Sequence, residues 1–187
     1  MGLICEQTSI PGVVVFTPSI FGDARGFFLQ TFQTREYAAA GLDRVFVQDN
    51  LSRSCRGTVR GLHYQLRQPQ GKLVSVLRGA VLDVAVDIRR GSPTFGRWEA
   101  VLLSAGNHRQ FWIPEGFAHG FAVLSERAVF SYLCTDVYVK EADAGVRWND
   151  ADIAVDWPIS APTLSAKDES APFLAEIAEE RLPVYMP

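Results

Sequence analysis

The sequence predicts an all-β fold, a double-sheet jelly roll with a short C-terminal helical segment, and three observations predict it. Most apolar stretches are short, β-branched and separated by Gly, Pro, Asn or Ser clusters, which is the spacing of a sandwich or barrel. Helical periodicity is confined to two brief segments. At 187 residues, with 48% hydrophobic and 21% charged side chains, the chain can bury one core without a metal or disulfide staple.

Taken in order, residues 12–18 and 27–32 read as strands, and residues 35–40 as a helix closing on Gly41. The segment VRGLHYQ, residues 59–65, reads as a strand. A strict period of two puts Arg60 and Leu62 on one face and Gly61, His63 and Gln65 on the other, unless Gly61 or a bulge re-aims one of them. The run KLVSVLRGAVLDVAVDI, residues 72–88, is β-branched on both sides of Arg78 and Gly79 and is read as a hairpin turning there. Residues 98–103, 110–113, 120–124 and 128–135 are further short strands. Ser170 as N-cap and Pro172 in the first turn mark a helix over about 170–180, with Phe173, Leu174 and Ile177 as its packing face. No linker, repeat or low-complexity tract divides the chain, so residues 1–187 are read as a single domain with 163–187 as an appendage.

Composition excludes several classes of function. With 18 Lys plus Arg against 21 Asp plus Glu, and no long basic run, a nucleic-acid partner is not expected. No apolar stretch is long enough to span a bilayer, and the first residues lack a basic region followed by an apolar core. Glu6 stands where a myristoylation signal beginning at Gly2 requires Ser or Thr. The three cysteines, Cys5, Cys55 and Cys134, form no C-x-x-C pair and fit a reducing compartment, so a cytoplasmic protein is expected. Phosphate-loop, dinucleotide-binding and nucleophile-elbow motifs are absent.

Four segments concentrate groups able to do chemistry. Residues 59–65 with Gln70 and Lys72 bring together Arg60, His63 and an ammonium. IPEGFAHGF, residues 113–121, delivers His119 at the start of an apolar strand, similar to the second box of cupins. Tyr132 sits among apolar residues at strand spacing, and LSAKDES sets Lys167 beside Asp168. Each has a plain structural alternative: a half-buried histidine, a core tyrosine, a surface ion pair. A mononuclear metal site needs three or four ligands, and His63, His108 and His119 are the whole supply of imidazoles with no H-x-H among them, so no metal is expected.

Together the segments DARGFF, QDNLSRS, GTVRGLHYQ, QGKLVSVLRGAVLDVAVDIRRGSPTFGRW, IPEGFAHGF, YLCTDVY, GVRWND and LSAKD resemble the dTDP-4-dehydrorhamnose 3,5-epimerase family over nearly the whole chain. The resemblance implies a cofactor-free, metal-free cupin jelly roll, a homodimer with strand exchange, acting on a dTDP-linked 4-keto-6-deoxyhexose. It implies His63 as general base, Asp168 as its partner, Tyr132 as acid on the opposite face of the sugar, and Lys72 beside the keto oxygen. Arg60 and His119 would position the sugar and diphosphate, and Arg25, Gln48, Asp49, Asn50 and Lys167 match substrate-binding positions. Gln30 and Asp143 also fall in the binding shell, where the family usually carries Glu; both departures leave the proton-transfer set intact.

These residue types suit such chemistry. A hydrogen beside a ketone is mismatched with imidazole by on the order of ten pKa units, each about 1.4 kcal/mol, so the enolate needs a cationic donor in place. Inversion needs a second proton donor across the ring, and a phenol stays protonated at neutral pH. A C3-only epimerase, or a non-catalytic sugar-nucleotide-binding cupin, would be compatible with much of the same sequence.

Overall fold

The computed structural model describes residues 2–186. In chain order the strands are β1 (Leu3–Gln7), β2 (Val14–Pro18), β3 (Ile20–Asp23), β4 (Gly26–Leu29), β5 (Gln48–Cys55), β6 (Val59–Gln65) and β7 (Lys72–Arg78). They continue as β8 (Ala80–Asp87), β9 (Trp98–Ser104), β10 (Gln110–Ile113), β11 (Phe117–Val123), β12 (Arg127–Cys134) and β13 (Asp143–Gly145). The helices are short, α1 (Thr34–Ala39) and α2 (Ala166–Glu169).

A six-stranded sheet in the order β1-β2-β10-β7-β12-β5 faces a five-stranded sheet in the order β13-β6-β11-β8-β9. All pairings between named strands are antiparallel, so the jelly-roll expectation holds. The sheets clasp a core that includes Val74, Val76, Val81, Ala85, Phe111, Phe117, Phe121 and Phe130. These positions alternate with outward-facing ones, as the pleat requires. The outer face of the five-stranded sheet is covered by the C-terminal segment, where Ile153, Leu174 and Leu182 pack on Leu62, Tyr64, Val84 and Val86.

Three expectations need correction. Residues 72–88 form no hairpin: β7 pairs with β10 and β12, whereas β8 pairs with β11 and β9. The chain crosses between sheets at Gly79, whose φ of +80° gives this corner the same sequence signature as a hairpin turn. The strict alternation along β6 also fails. His119 and Phe121, two apart on β11, stand opposite His63 and Arg60, three apart on β6, so the register shifts between them. This bulge turns Arg60 and His63 to the same inner face, while Leu62 and Tyr64 pack outward. Only glycine suits position 61: its φ is +130°, and a Cβ there would lie 2.6 Å from Gly120 Cα and 2.8 Å from the His119 carbonyl oxygen.

The third correction concerns the C-terminal helix. Helix α2 starts earlier, capped by Ser165, whose Oγ accepts from the Asp168 amide at 3.2 Å, and Ser170 is its C-cap. Pro172 disfavours helical geometry at Ala171 and so ends the helix instead of opening it. Single 3-10 turns at Leu174–Glu176 and Glu179–Arg181 follow. Leu174 is buried, Ile177 packs against the same cluster, and the Phe173 ring lies under the Arg147 guanidinium. The sequence reading also missed β1, β3 and β13, and β5 is a polar strand lacking β-branched residues.

Candidate active site

The jelly roll opens between its two edges, β5 on one sheet and β13 with β6 on the other. A cleft of about 550 Å³ there is lined by residues that include His63, Gln65, Lys72, Tyr132, Tyr138 and Asp143. Lys72 and Tyr132 come from the six-stranded sheet and His63 from the five-stranded one, so the cleft has a cation and a phenol on one wall and an imidazole on the other. Phe130 stacks on Phe121 at 4.2 Å between ring centres and lies 5.8 Å from the Tyr132 ring, which makes the floor beneath the phenol apolar.

His63 Nε2 lies 2.5 Å from Asp168 Oδ1, with the imidazole one-third exposed to the cleft and the carboxylate buried. The partners meet because residue 163 runs beside the start of β6. Val59 N donates to the Thr163 carbonyl at 3.1 Å and Thr163 N to the Gly57 carbonyl at 2.8 Å. The Ser165 cap then starts α2, one turn of which carries Asp168 to the ring. Burial alone would raise the Asp168 carboxyl, but the hydrogen bond and charge of His63, the Ser165 hydroxyl and the nearby Lys167 together hold it below the usual carboxylate range. An ionised Asp168 accepts from Nε2–H and leaves Nδ1 as the ring's lone-pair nitrogen.

Burial lowers the Lys72 ammonium, opposed by the charges of Cys134, Asp143 and Asp83. Burial likewise raises the Tyr132 phenol. Among the described residues, neither Lys72 Nζ nor the Tyr132 hydroxyl makes a hydrogen bond with the protein, so both are available to a ligand. Below them Asp83, fully buried, accepts from His119 Nε2 at 2.9 and 3.1 Å. Burial pushes the His119 imidazole down and favours its neutral form.

The remaining predicted residues divide by where the fold puts them. Asn50 faces the cleft, opposite Tyr132 in the ladder, and Gln48 lines the same wall. Asp49, between them, points to the outer surface with Leu133, because successive residues of β5 alternate faces. Arg60, held by its Nε to Ser54 Oγ at 3.0 Å, lines an adjacent hollow of about 650 Å³ that also reaches Asp168, so the two hollows meet across the His63–Asp168 pair. Lys167 and Asp168 point apart, Lys167 to Asp143 on the cleft rim and Asp168 to the ring. Arg25, at the tip of the exposed β3–β4 ribbon, pairs with Asp23 and lines neither hollow, and Gln30 lies beside Glu36 and Tyr37. Cys134 is fully buried, as a core cysteine would be.

Sequence reasoning missed Asp83, Gln65 and Tyr138. An acidic residue inside the apolar run of β8 was the available signal for Asp83. Asp87 gave the same signal four residues on, yet it serves a structural cluster with Arg89, Ser92 and Thr94. No group of three or more His, Cys, Asp or Glu among the described residues is placed to hold a metal ion, and no helix there is long and apolar enough to cross a membrane.

A family model described as dTDP-4-dehydrorhamnose 3,5-epimerase matches residues 7–176. An enzyme of that name from Pseudomonas aeruginosa is 54% identical over 172 residues, covering 91% of this chain and 95% of that protein. The crystal structure of a dTDP-6-deoxy-D-glucose-3,5-epimerase from Legionella pneumophila, in complex with dTDP-4-keto-L-rhamnose, superposes with a TM-score of 0.97 at 52% identity over 100% of both chains. A 3'-monoepimerase from Streptomyces bikiniensis, in complex with dTDP-quinovose, superposes with a TM-score of 0.89 at 38% identity, covering 95% of this chain and 92% of that one.

The surroundings of Lys72 make its titration a direct reading of the cleft. In protein carrying 13C-labelled lysine, the Lys72 signal should titrate below 10.5, and Asp83→Asn, which removes an anion that supports the ammonium, should move it lower still. A midpoint at or above 10.5, or an upward move in the variant, would contradict this electrostatic picture.

Proposed function

Since the chain belongs to the dTDP-4-dehydrorhamnose 3,5-epimerase family, we propose that the cleft between β5 and β6 is where it carries out proton transfer on a dTDP-linked 4-keto-6-deoxyhexose. The activity is that of an isomerase, which inverts C3 and C5 of dTDP-4-dehydro-6-deoxy-D-glucose to give dTDP-4-dehydro-L-rhamnose. The reaction places the protein in deoxysugar biosynthesis, and we assign it to the cytoplasm.

His63 is the base. Its Nδ1 takes the proton from carbon, the C–H electron pair moves into the adjacent C–C bond, and the carbonyl pair moves onto oxygen as an enolate. The bond to Asp168 stabilises the imidazolium that forms. Lys72 donates to the enolate oxygen; in a poorly hydrated cleft a fixed cation offsets far more of the proton-transfer barrier than it would in water. Tyr132 delivers its phenolic proton to the other face of the same carbon, and both groups then recover their starting states through solvent. The observation that carries these roles is the facing arrangement of a carboxylate-held imidazole on one sheet and, on the other, a phenol and ammonium without a hydrogen-bond partner among the described residues.

Gln48, Asn50, Asp143 and Lys167 belong to the wall and rim that receive the nucleotide-linked sugar, and His119, fixed by Asp83, supports the sugar from below. Arg60 reaches the diphosphate from the adjacent hollow, where a bidentate guanidinium suits phosphate oxygens. Asp49, on the outer surface, acts only through its neighbours in the strand. The β3–β4 ribbon leaves Ile20, Phe21, Phe27 and Phe28 exposed, and a contiguous apolar patch on a two-stranded ribbon marks an interaction surface. We assign it to strand exchange in a homodimer, which would carry Arg25 and Gln30 toward the partner's cleft.

In heavy water the native protein should place deuterium at C3 and C5 with inversion at both. Tyr132→Phe should retain exchange and lose most inversion, while His63→Asn should lower exchange by roughly a hundredfold to ten-thousandfold. Equal loss of exchange in both variants would overturn the division of roles, and deuterium at C3 alone in the native protein would mark a C3-only epimerase.

Sedimentation should give twice the mass of the chain; a species of single-chain mass at micromolar concentration would contradict the dimer.

A further inference from the structure

Between β12 and the 3-10 turn at Lys140–Ala142, residues 136–138 make no backbone-to-backbone hydrogen bond among the described residues. Glutamine side chains serve them instead. Gln48 Oε1 accepts from Tyr138 N at 2.8 Å, and Gln70 Nε2 donates to the Asp136 carbonyl at 2.8 Å. Gln65 works from both ends of its amide: Nε2 donates to the Val137 carbonyl at 3.0 Å and the Gln68 carbonyl at 2.5 Å, and Oε1 accepts from Val139 N at 2.8 Å. A primary amide donates from nitrogen and accepts at oxygen, as a peptide group does, so Gln65 substitutes for a ladder the loop does not have.

That loop forms part of the cleft. Tyr138 lines it together with His63, Lys72 and Tyr132, and donates its hydroxyl to Asp143 Oδ2 at 2.9 Å, where Lys167 also binds. Asp143 stands directly opposite Gln65 in the β13–β6 ladder. Gln65, only 6% exposed, follows His63 by two residues on the same strand face. One buried amide therefore joins the strand bearing the imidazole to the loop that lines the cleft with Tyr138.

We propose that Gln65, seconded by Gln48 and Gln70, is a positioning residue that sets the affinity of the cleft for the nucleotide-linked sugar by holding residues 136–138 as a preformed rim. It rests on the function proposed above. Without the amide, the Val137 carbonyl and Val139 N–H lose their partners, the rim samples open states, and a ligand must order it on binding. Apparent affinity falls by the fraction of time the rim is formed. The reacting groups His63, Lys72 and Tyr132 lie within strands of the two sheets and keep their places, so the loss falls on binding and far less on turnover.

The test compares native protein, Gln65→Leu and Gln70→Leu for dTDP binding by calorimetry and for turnover of dTDP-4-keto-6-deoxyglucose. Loss of the Gln65 bonds should raise Kd for dTDP and KM by about tenfold to a hundredfold, at about 1 kcal/mol per bond, with a much smaller change in kcat. Gln70→Leu, which loses one bond at the other end of the loop, should shift both constants in the same direction by a few-fold. A folded Gln65→Leu protein with native Kd, or one whose kcat falls while KM stays, overturns the proposal. If Gln65→Leu does not fold, Gln70→Leu decides by the same comparison. A native protein that neither binds dTDP nor turns over the sugar would instead overturn the function on which the proposal rests.

Discussion

A histidine removes a proton from carbon efficiently only when its ring is held in one orientation with one nitrogen engaged and the other bare. The bond between His63 and Asp168 imposes both conditions, and much of the fold serves to bring its two halves together. His63 reaches the cleft because the bulge at Gly61 turns it inward beside Arg60, and that bulge is possible because two glycines, Gly61 and Gly120, let β6 and β11 approach closely. Asp168 arrives from a segment more than a hundred residues later, docked along β6 by Thr163, and the chain beyond it packs Leu174 and Leu182 on the outer face of the same sheet. The C-terminal appendage thus stabilises the five-stranded sheet and completes the site.

The interior carries more charge than a jelly-roll core needs. Lys72, Asp83, His119 and Asp168 sit above and beside an aromatic floor; burial shifts the first three from their ordinary titration, whereas His63 and its neighbours hold Asp168 low against burial. In such a medium an unpaired charge costs several kcal/mol, which explains the pairing of Asp83 with His119 and of Asp168 with His63. Lys72 stands apart from this pattern because its Nζ has no hydrogen-bond partner among the described residues. Its stabilisation comes from the surrounding anions, and a developing negative charge on a ligand would complete it. The loop at residues 136–138 follows another logic, held by neutral amides next to the Asp143–Lys167 ion pair of the same rim.

The sheet-forming runs were legible because their apolar alternation is local: residues 110–113 coincide with β10, and most other strands are displaced by only a few residues. Pairing was not, since the corner at Gly79 and a hairpin turn need the same residue, and only contacts distant in sequence decide which sheet β8 joins. The site divides the same way. His63, Lys72, Tyr132 and Asp168 were readable from motifs that the family resemblance tied together, although the bulge that co-orients Arg60 and His63 depends on Gly120, far along the chain. Asp49 falls outside the cleft because its motif spans three consecutive residues while the strand presents every second one. Gln65 carried no local signal, since its partners lie in a loop about seventy residues on, and the acidic signal of Asp83 could not be told from that of Asp87 without its partner on β11.

Proton abstraction turns on which nitrogen of His63 carries the proton, and nitrogen NMR of protein labelled with 15N-histidine measures it directly. The neutral form of the His63 ring should be the tautomer protonated at Nε2, donating to Asp168, with a lone pair on Nδ1. A neutral ring protonated at Nδ1 would require Asp168 to donate instead of accept, would leave no base facing the sugar, and would contradict the mechanism.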